Sequence, residues 1–324
     1  MRLIIMGTGP FAVPMFQAIL KAGHEVPIVV TRPTRPARGR KQPPSNPMRE
    51  AAESVGIEVW APESINTPEA RVQLQSYTAD LMVVCDYGQI LNSEALATTR
   101  LGGINLHGSL LPKYRGAAPV QWAVINGDLT TGITVIHMTP KLDGGPSLVQ
   151  METPIEADEN AETLETRLST LGAPAVLQAI TLLEEWDEQT AIGEIQDPAD
   201  ITKAPRLTKN HGVIDWKKSA AEILNNHHGV QPWPGSFTVW DRGKQPMRLI
   251  ISELSIHEPV EREGLSEPDG YSAGEVIIAE NDTLVVACGS GSIQLLEVQP
   301  AGKRVMTAGE FLRGYQLKSG IRFQ

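Results

Sequence analysis

The stretch ADLMVVC, residues 79–85, constrains the fold more than any other part of the chain. Seven consecutive residues with one acid near their start form a strand that expects cover on both faces, and such strands belong to parallel sheets flanked by helices. GGINLH (102–107) is a second run of this kind, and RLIIM (2–6) and VPIVV (26–30) come before them. Helical patterns lie between. Phe11 to Lys21 is one, and Asn46-Pro47 supplies an N-cap and a first-turn proline for another running to Val55. This β-α-β rhythm implies an α/β fold with a doubly wound, mainly parallel, Rossmann-like sheet. TGITVIHM (131–138) alternates as a further strand, and Leu148 to Ile155 is its antiparallel return. Leu164, Leu168, Leu171, Val176, Ile180 and Leu183 predict a helix over 159–185, with a break near Gly172-Ala173-Pro174.

The pattern changes near residue 187. EQTAIGEIQDPADITKAPRLTKNHG is polar, marked by Pro and Gly and without a sustained period, which is the composition of a linker. Beyond it a helical stretch, DWKKSAAEILNNHHG, leads into SFTVW, MRLIISEL, GEVIIA, TLVVAC and SIQLLEV, and Thr307 to Tyr315 forms a last helix. Short strands at this density suggest a small β-barrel. The expected domains are 1–187, a linker over 188–208, and 209–324.

Several classes are disfavoured. No run of about 18 uncharged apolar residues exists, so no membrane span is expected, and MRLIIMGTGPFAV reads as a first strand rather than a signal peptide. Cys85 and Cys288 stand far apart inside apolar runs, and the histidines lack metal-ligand spacing, so neither a disulfide nor a metal site is expected. The expected protein is a cytoplasmic monomer. A net charge of −10 argues against indiscriminate nucleic-acid binding, yet residues 31–50 hold Arg32, Arg35, Arg38, Arg40, Lys41 and Arg49 before the first acid, Glu50. That loop is either a solvated surface or a site for a phosphate backbone. Lys303, Arg304, Arg313, Lys318 and Arg322 repeat the bias near the C-terminus against Glu310.

Gly7-Thr8-Gly9-Pro10-Phe11-Ala12 approaches a dinucleotide fingerprint, but Thr31-Arg32 stands where a ribose-binding acid is needed. A tight strand-to-helix turn explains it better. Asn105 and His107 are i and i+2 at the carboxyl end of a strand, so they share a face where open α/β sheets place functional groups. Asp143, flanked by glycines in KLDGGPS, is well placed to join them. An amide donor, an imidazole and a carboxylate suit acyl transfer without a covalent intermediate. Spacing alone leaves open whether the first two simply satisfy backbone groups. Ser109 lacks the GxSxG elbow of a nucleophile and suits a turn cap.

NLHGSLLPKYRGAAPVQWAVINGDLTTGITV followed by MTPKLDGGP resembles the signature of the folate-dependent formyltransferases. GTGPFA, TRPTRPARGRK, ADLMVVCDYGQIL, IDW, QPWPGSF and LLEVQPAGKRVMTAGEFL also have counterparts there, spanning nearly the whole chain. The resemblance implies formyl transfer from 10-formyltetrahydrofolate to the α-amine of methionyl-initiator tRNA, with no metal. It implies that Asn105 and His107 stabilise an oxyanion while Asp143 orients His107 and relays protons. Ser109, Leu110, Leu111 and Pro112 match the folate-binding segment. Arg38 matches an arginine that recognises tRNA; Arg40, Lys41, Lys303 and Arg304 are the other expected tRNA contacts, the last two on an OB-like C-terminal barrel. Three positions depart from the family pattern: the basic loop is one residue short near Ala37-Arg38, Asp86 stands where small or apolar residues are common, and Gly9 is inserted in the first turn. The alternatives are transfer to an amino sugar nucleotide, against which the basic loop and QPAGKR argue, and a non-catalytic RNA-binding relative, against which the intact polar set argues.

Overall fold

The computed structural model describes residues 1–34, 45–242, 246–258 and 270–324. The chain divides into two compact units, one of residues 1–120, 129–155 and 163–205, the other of 121–128, 156–162 and 206–324.

In chain order the first half carries β1 (Arg2–Gly7), α1 (Val13–Lys21), β2 (Glu25–Val30), α2 (Pro47–Ser54), β3 (Val59–Trp60), α3 (Pro68–Ser76), β4 (Leu81–Cys85), α4 (Ser93–Leu96), β5 (Gly103–His107), β6 (Arg115–Gly116), α5 (Pro119–Ile125), β7 (Thr130–His137) and β8 (Ser147–Pro154). The α6 helix (Ala161–Glu184) and β9 (Lys203–Ala204) follow. The main sheet runs β3-β2-β1-β4-β5-β7-β8. Its first five strands are parallel, and β7 and β8 close it in antiparallel fashion. All five residues of β4 are buried, as expected of a strand covered on both sides. Asn46 caps α2 by accepting a 3.0 Å bond from the Arg49 amide, so the sequence signal at Asn46-Pro47 is borne out.

The break expected near Pro174 does not occur: α6 is continuous. Pro174 and Thr170, the residue whose carbonyl loses its helical donor, both lie on the exposed face, where water can take that bond. The opposite face buries Leu164, Leu168, Val176, Ile180 and Leu183. Gly172 sits directly against the Leu106 side chain, leaving no room for a Cβ.

The second unit carries α7 (Ala220–Gly229), β10 (Ser236–Trp240), β11 (Met247–Ile256), β12 (Val276–Glu280), β13 (Thr283–Ala287), β14 (Ser292–Pro300), β15 (Met306–Thr307) and α8 (Ala308–Tyr315). The five longer strands correspond to the five apolar runs of the sequence, in the antiparallel order β10-β11-β14-β13-β12. The C-terminal residues join the two ends of that order: Gln324 donates to Val239 on one side and Phe323 to Gly274 on the other. The sheet is thereby barrel-like around Leu249, Val286, Leu295 and Phe311. Ser219 and Thr307 begin α7 and α8 with reciprocal capping boxes to Glu222 and Glu310.

Candidate active site

The site grows from the end of β5. Leu106 points toward α6, so the pleat sends Asn105 and His107 to the other face. Asn105 is half-buried, and its side-chain amide makes no hydrogen bond to any described residue. This is the reverse of what a satisfied structural polar shows. The His107 Nε2 lies 2.9 Å from the Tyr114 carbonyl, which can only accept, so Nε2 carries a proton. The other ring nitrogen, Nδ1, faces Asp143, with Oδ1 at 3.9 Å. The two side chains are 6% and 9% exposed. At that separation there is no hydrogen bond, and the contact is an ion pair only when Nδ1 carries a proton as well. The second oxygen of Asp143, Oδ2, accepts a 2.9 Å bond from the Gly116 amide.

Both loops that complete this arrangement hold strained backbone. Asp143 and Tyr114 have φ of 48° and 63°, a region that costs a non-glycine residue about 1–3 kcal/mol and persists where the surroundings impose it. Those surroundings include residues 194–204, inside the polar stretch after 187. Thr202 accepts from Tyr114 through Oγ1 at 2.8 Å and from the Arg115 amide through its carbonyl at 2.9 Å. The short parallel pair β6–β9 continues this contact. Gln196 donates from Nε2 to the carbonyls of Asp143 (2.8 Å) and Gly145 (2.7 Å), and its Oε1 accepts from Arg115.

The turn after His107 is tied down equally firmly. The fully buried Ser109 donates its hydroxyl to the Lys113 carbonyl at 2.7 Å, the geometry of a turn cap and not of an activated nucleophile. Thr134 donates to the Ser109 carbonyl (2.7 Å) and accepts from the Leu111 amide (3.0 Å), while Gln150 donates to the Leu111 carbonyl (2.7 Å). Leu111 is buried and Leu110 and Pro112 are half-buried, leaving a fixed apolar ledge beside the polar groups.

Gly9 and Asp86, two departures from the family pattern, occupy one place: a Cβ at residue 9 would collide with the Asp86 carboxylate. An acid at the carboxyl ends of β1 and β4 also makes this turn hostile to a pyrophosphate, against the dinucleotide reading. Burial pushes the Cys85 thiol well up and the Cys288 thiol up to about 12, which leaves both unreactive. No cluster of three metal-ligating side chains occurs among the described residues, and none of their helices is long and apolar enough to cross a membrane.

Of the basic residues, Arg38, Arg40 and Lys41 lie outside the described residues. Lys303 is exposed. Arg304 is exposed but pairs with Glu310 at 2.7 Å, a bond that raises the guanidinium pKa and lowers that of the carboxylate. Sequence reasoning missed Tyr114, Thr134, Gln150 and Gln196. The first acts through its backbone carbonyl and the others through backbone groups far away in sequence, and nothing in the local pattern marks them.

Comparison with known proteins shows the chain's family. A family described as "Formyl transferase" matches residues 1–180, and "Formyl transferase, C-terminal domain" matches 206–316. The chain is 47% identical to a methionyl-tRNA formyltransferase of Rhodopirellula baltica, over 99% of this chain and 96% of that one. It is 40% identical to a protein of the same name from Solibacter usitatus, covering 98% and 96%. Among solved structures, an N-formyltransferase from Helicobacter canadensis, in complex with folinic acid and dTDP-3-aminofucose, superposes with a TM-score of 0.64 at 17% identity, covering 90% of this chain and 98% of that one. HypX from Aquifex aeolicus, in complex with tetrahydrofolic acid, superposes at 0.61 and 14% identity, covering 97% and 47%. These two likenesses are of fold.

Proposed function

Because the chain belongs to the formyl transferase family, we propose that it transfers the formyl group of 10-formyltetrahydrofolate to the α-amine of methionyl-initiator tRNA. The observation that carries the reading is the Asn105 amide, on the strand face it shares with His107, which Asp143 approaches, and with no partner among the described residues. A donor on a rigid strand that is engaged by no described residue suits a developing oxyanion, since no bond to those residues has to break when the charge appears.

The folate co-substrate supplies the formyl carbon; the chain's own residues do the rest. Asn105 donates to the formyl oxygen. Because Nε2 of His107 is committed to Tyr114, Nδ1 is the ring position that can take up a proton, and Asp143 holds the resulting imidazolium in place beside that oxygen. As the amine nitrogen bonds to the formyl carbon, the bond from that carbon to the folate nitrogen breaks; the proton lost by the amine passes through this pair to that nitrogen, and tetrahydrofolate leaves. Ser109, Leu110, Leu111 and Pro112 bind the folate, the two half-buried apolar side chains offering it a surface.

Residues 1–187 are the catalytic domain in this reading, 188–208 the linker and 209–324 the OB-like tRNA-binding domain, with Arg38, Arg40, Lys41, Lys303 and Arg304 on phosphates. The protein acts as a cytoplasmic monomer. The test is purified protein with 10-formyltetrahydrofolate and either methionyl-initiator tRNA or an amino sugar nucleotide. Formylation of the charged tRNA is expected. Formylation of the sugar alone would move the chain to the other acceptor class, and no transfer to either would refute an enzymatic role.

A further inference from the structure

Gln196 is 8% exposed and uses all four of its amide's hydrogen-bonding positions. Its NH2 donates to the Asp143 and Gly145 carbonyls, and its oxygen accepts from Arg115 Nε (3.1 Å) and Nη2 (2.6 Å). One side chain therefore joins the loop that carries Asp143 to the segment whose neighbours Tyr114 and Gly116 bind His107 and the Asp143 carboxylate. The chain on either side is anchored too. Glu194 and Ser147 exchange two 2.8 Å backbone bonds, and Thr202 and Ala204 receive amides of residues 114–118.

We propose that Gln196 is a positioning residue for the transfer reaction, fixing the Asp143 carboxylate against His107 from the strap formed by residues 194–204. The inference rests on the reading of Asp143 as the group that holds His107 and relays its proton. The loop needs such a clamp. Asp143 is in a left-handed conformation and two glycines follow it, so nothing local sets where its carboxylate points. The 3.9 Å approach to Nδ1 depends on that direction. A residue that only stapled the strap down would bond the backbone of one loop. Gln196 bonds both loops that contact the catalytic pair.

The test compares Gln196→Met, which removes every bond at similar length, with Gln196→Glu, which retains acceptors for Arg115 but sets lone pairs against the two carbonyls. Each is made alone and in an Asp143→Asn background, and activity is read per folded molecule by circular dichroism. In the native background kcat should fall about 10- to 100-fold, as for a small misplacement of a catalytic group, while KM for folate and tRNA stays within about twofold. In the Asp143→Asn background either substitution should cost less than about threefold, because the group it positions is already disabled. A purely structural role would give the same loss in both backgrounds. Such a multiplicative loss, or kcat unchanged in both single variants, overturns the proposal. Should Gln196→Met fail to fold, the Glu variant carries the comparison. Full activity of Asp143→Asn alone would instead refute the reading of Asp143, and so separates the two failures.

Discussion

Replacing Asn105 by alanine isolates the proposed oxyanion donor with little structural interference. The amide has no partner among the described residues, so its removal orphans no group among them. The backbone at residue 105 is held in register by Val84 on β4 and Ile136 on β7, and that pairing is untouched. The folding penalty is then confined to strand propensity, within about 1 kcal/mol, which moves the thermal midpoint of a unit this size by about 2–4 °C. In the transition state the loss is larger, because a preorganised donor in a water-poor site is worth about 2.7–4 kcal/mol. At 1.36 kcal/mol per tenfold this corresponds to about 10²–10³ in kcat. The assay is transfer of labelled formyl group to charged initiator tRNA with both substrates saturating, accompanied by a melting curve. A kcat within about fivefold of the native value would refute the argument. So would a rise in KM for folate at unchanged kcat, which would make the contact a uniform binding interaction rather than one realised in the transition state.

The basic surface is tested by the salt dependence of tRNA affinity. Each phosphate that a basic side chain neutralises steepens the slope of log K against log salt by about 0.7–0.9, so Arg38→Ala and Lys303→Ala should each flatten it measurably. Arg304→Ala should flatten it less, because its charge is already engaged by Glu310; equal effects would show that the pair opens on binding. Gly116→Ala forces a Cβ onto the Ala204 carbonyl at φ 132° and should destabilise the protein by more than about 1 kcal/mol while parting β6 from β9, seen as a lower thermal midpoint and a lower kcat. Burial pushes the pKa of His227 down to about 4, so between pH 4 and the ordinary 6.5 the unfolded chain binds a proton that the folded chain refuses. Stability from this group is complete above pH 6.5 and is lost as pH falls toward 4, by about 3 kcal/mol in all; urea midpoints of the His227→Gln variant should be correspondingly flatter over that window.

The architecture was legible where hydrophobic pattern and local chemistry agreed. ADLMVVC and GGINLH announced doubly covered strands, and Asn46-Pro47 and Thr307 announced helix starts. Pattern failed at Pro174, where a breaker on the exposed side of a well-packed helix costs too little to interrupt it. Asn105 and His107 could be paired by the two-residue period of a strand, and Asp143 by its glycine flanks. Gln196 could not be found. Its partners lie 53, 51 and 81 residues away, two of them are backbone carbonyls, and a polar segment without apolar period looks the same in solvent as against a loop.

The arrangement around His107 explains why the site needs so many backbone contacts. A side-chain partner for Nε2 would itself titrate or rotate; the Tyr114 carbonyl does neither, so the ring's orientation and its Nε2 proton are set by main-chain geometry alone. That leaves Nδ1 as the single position where a proton can enter, and the direction of the Asp143 carboxylate decides whether a charge formed there is stabilised. Asp143 in turn is oriented by the Gly116 amide, again main chain. Every constraint on the proposed catalytic pair is thus transferred to the relative placement of two short loops. Neither loop contains a helix or long strand to hold it, which is why a third segment, 194–204, has to bind both.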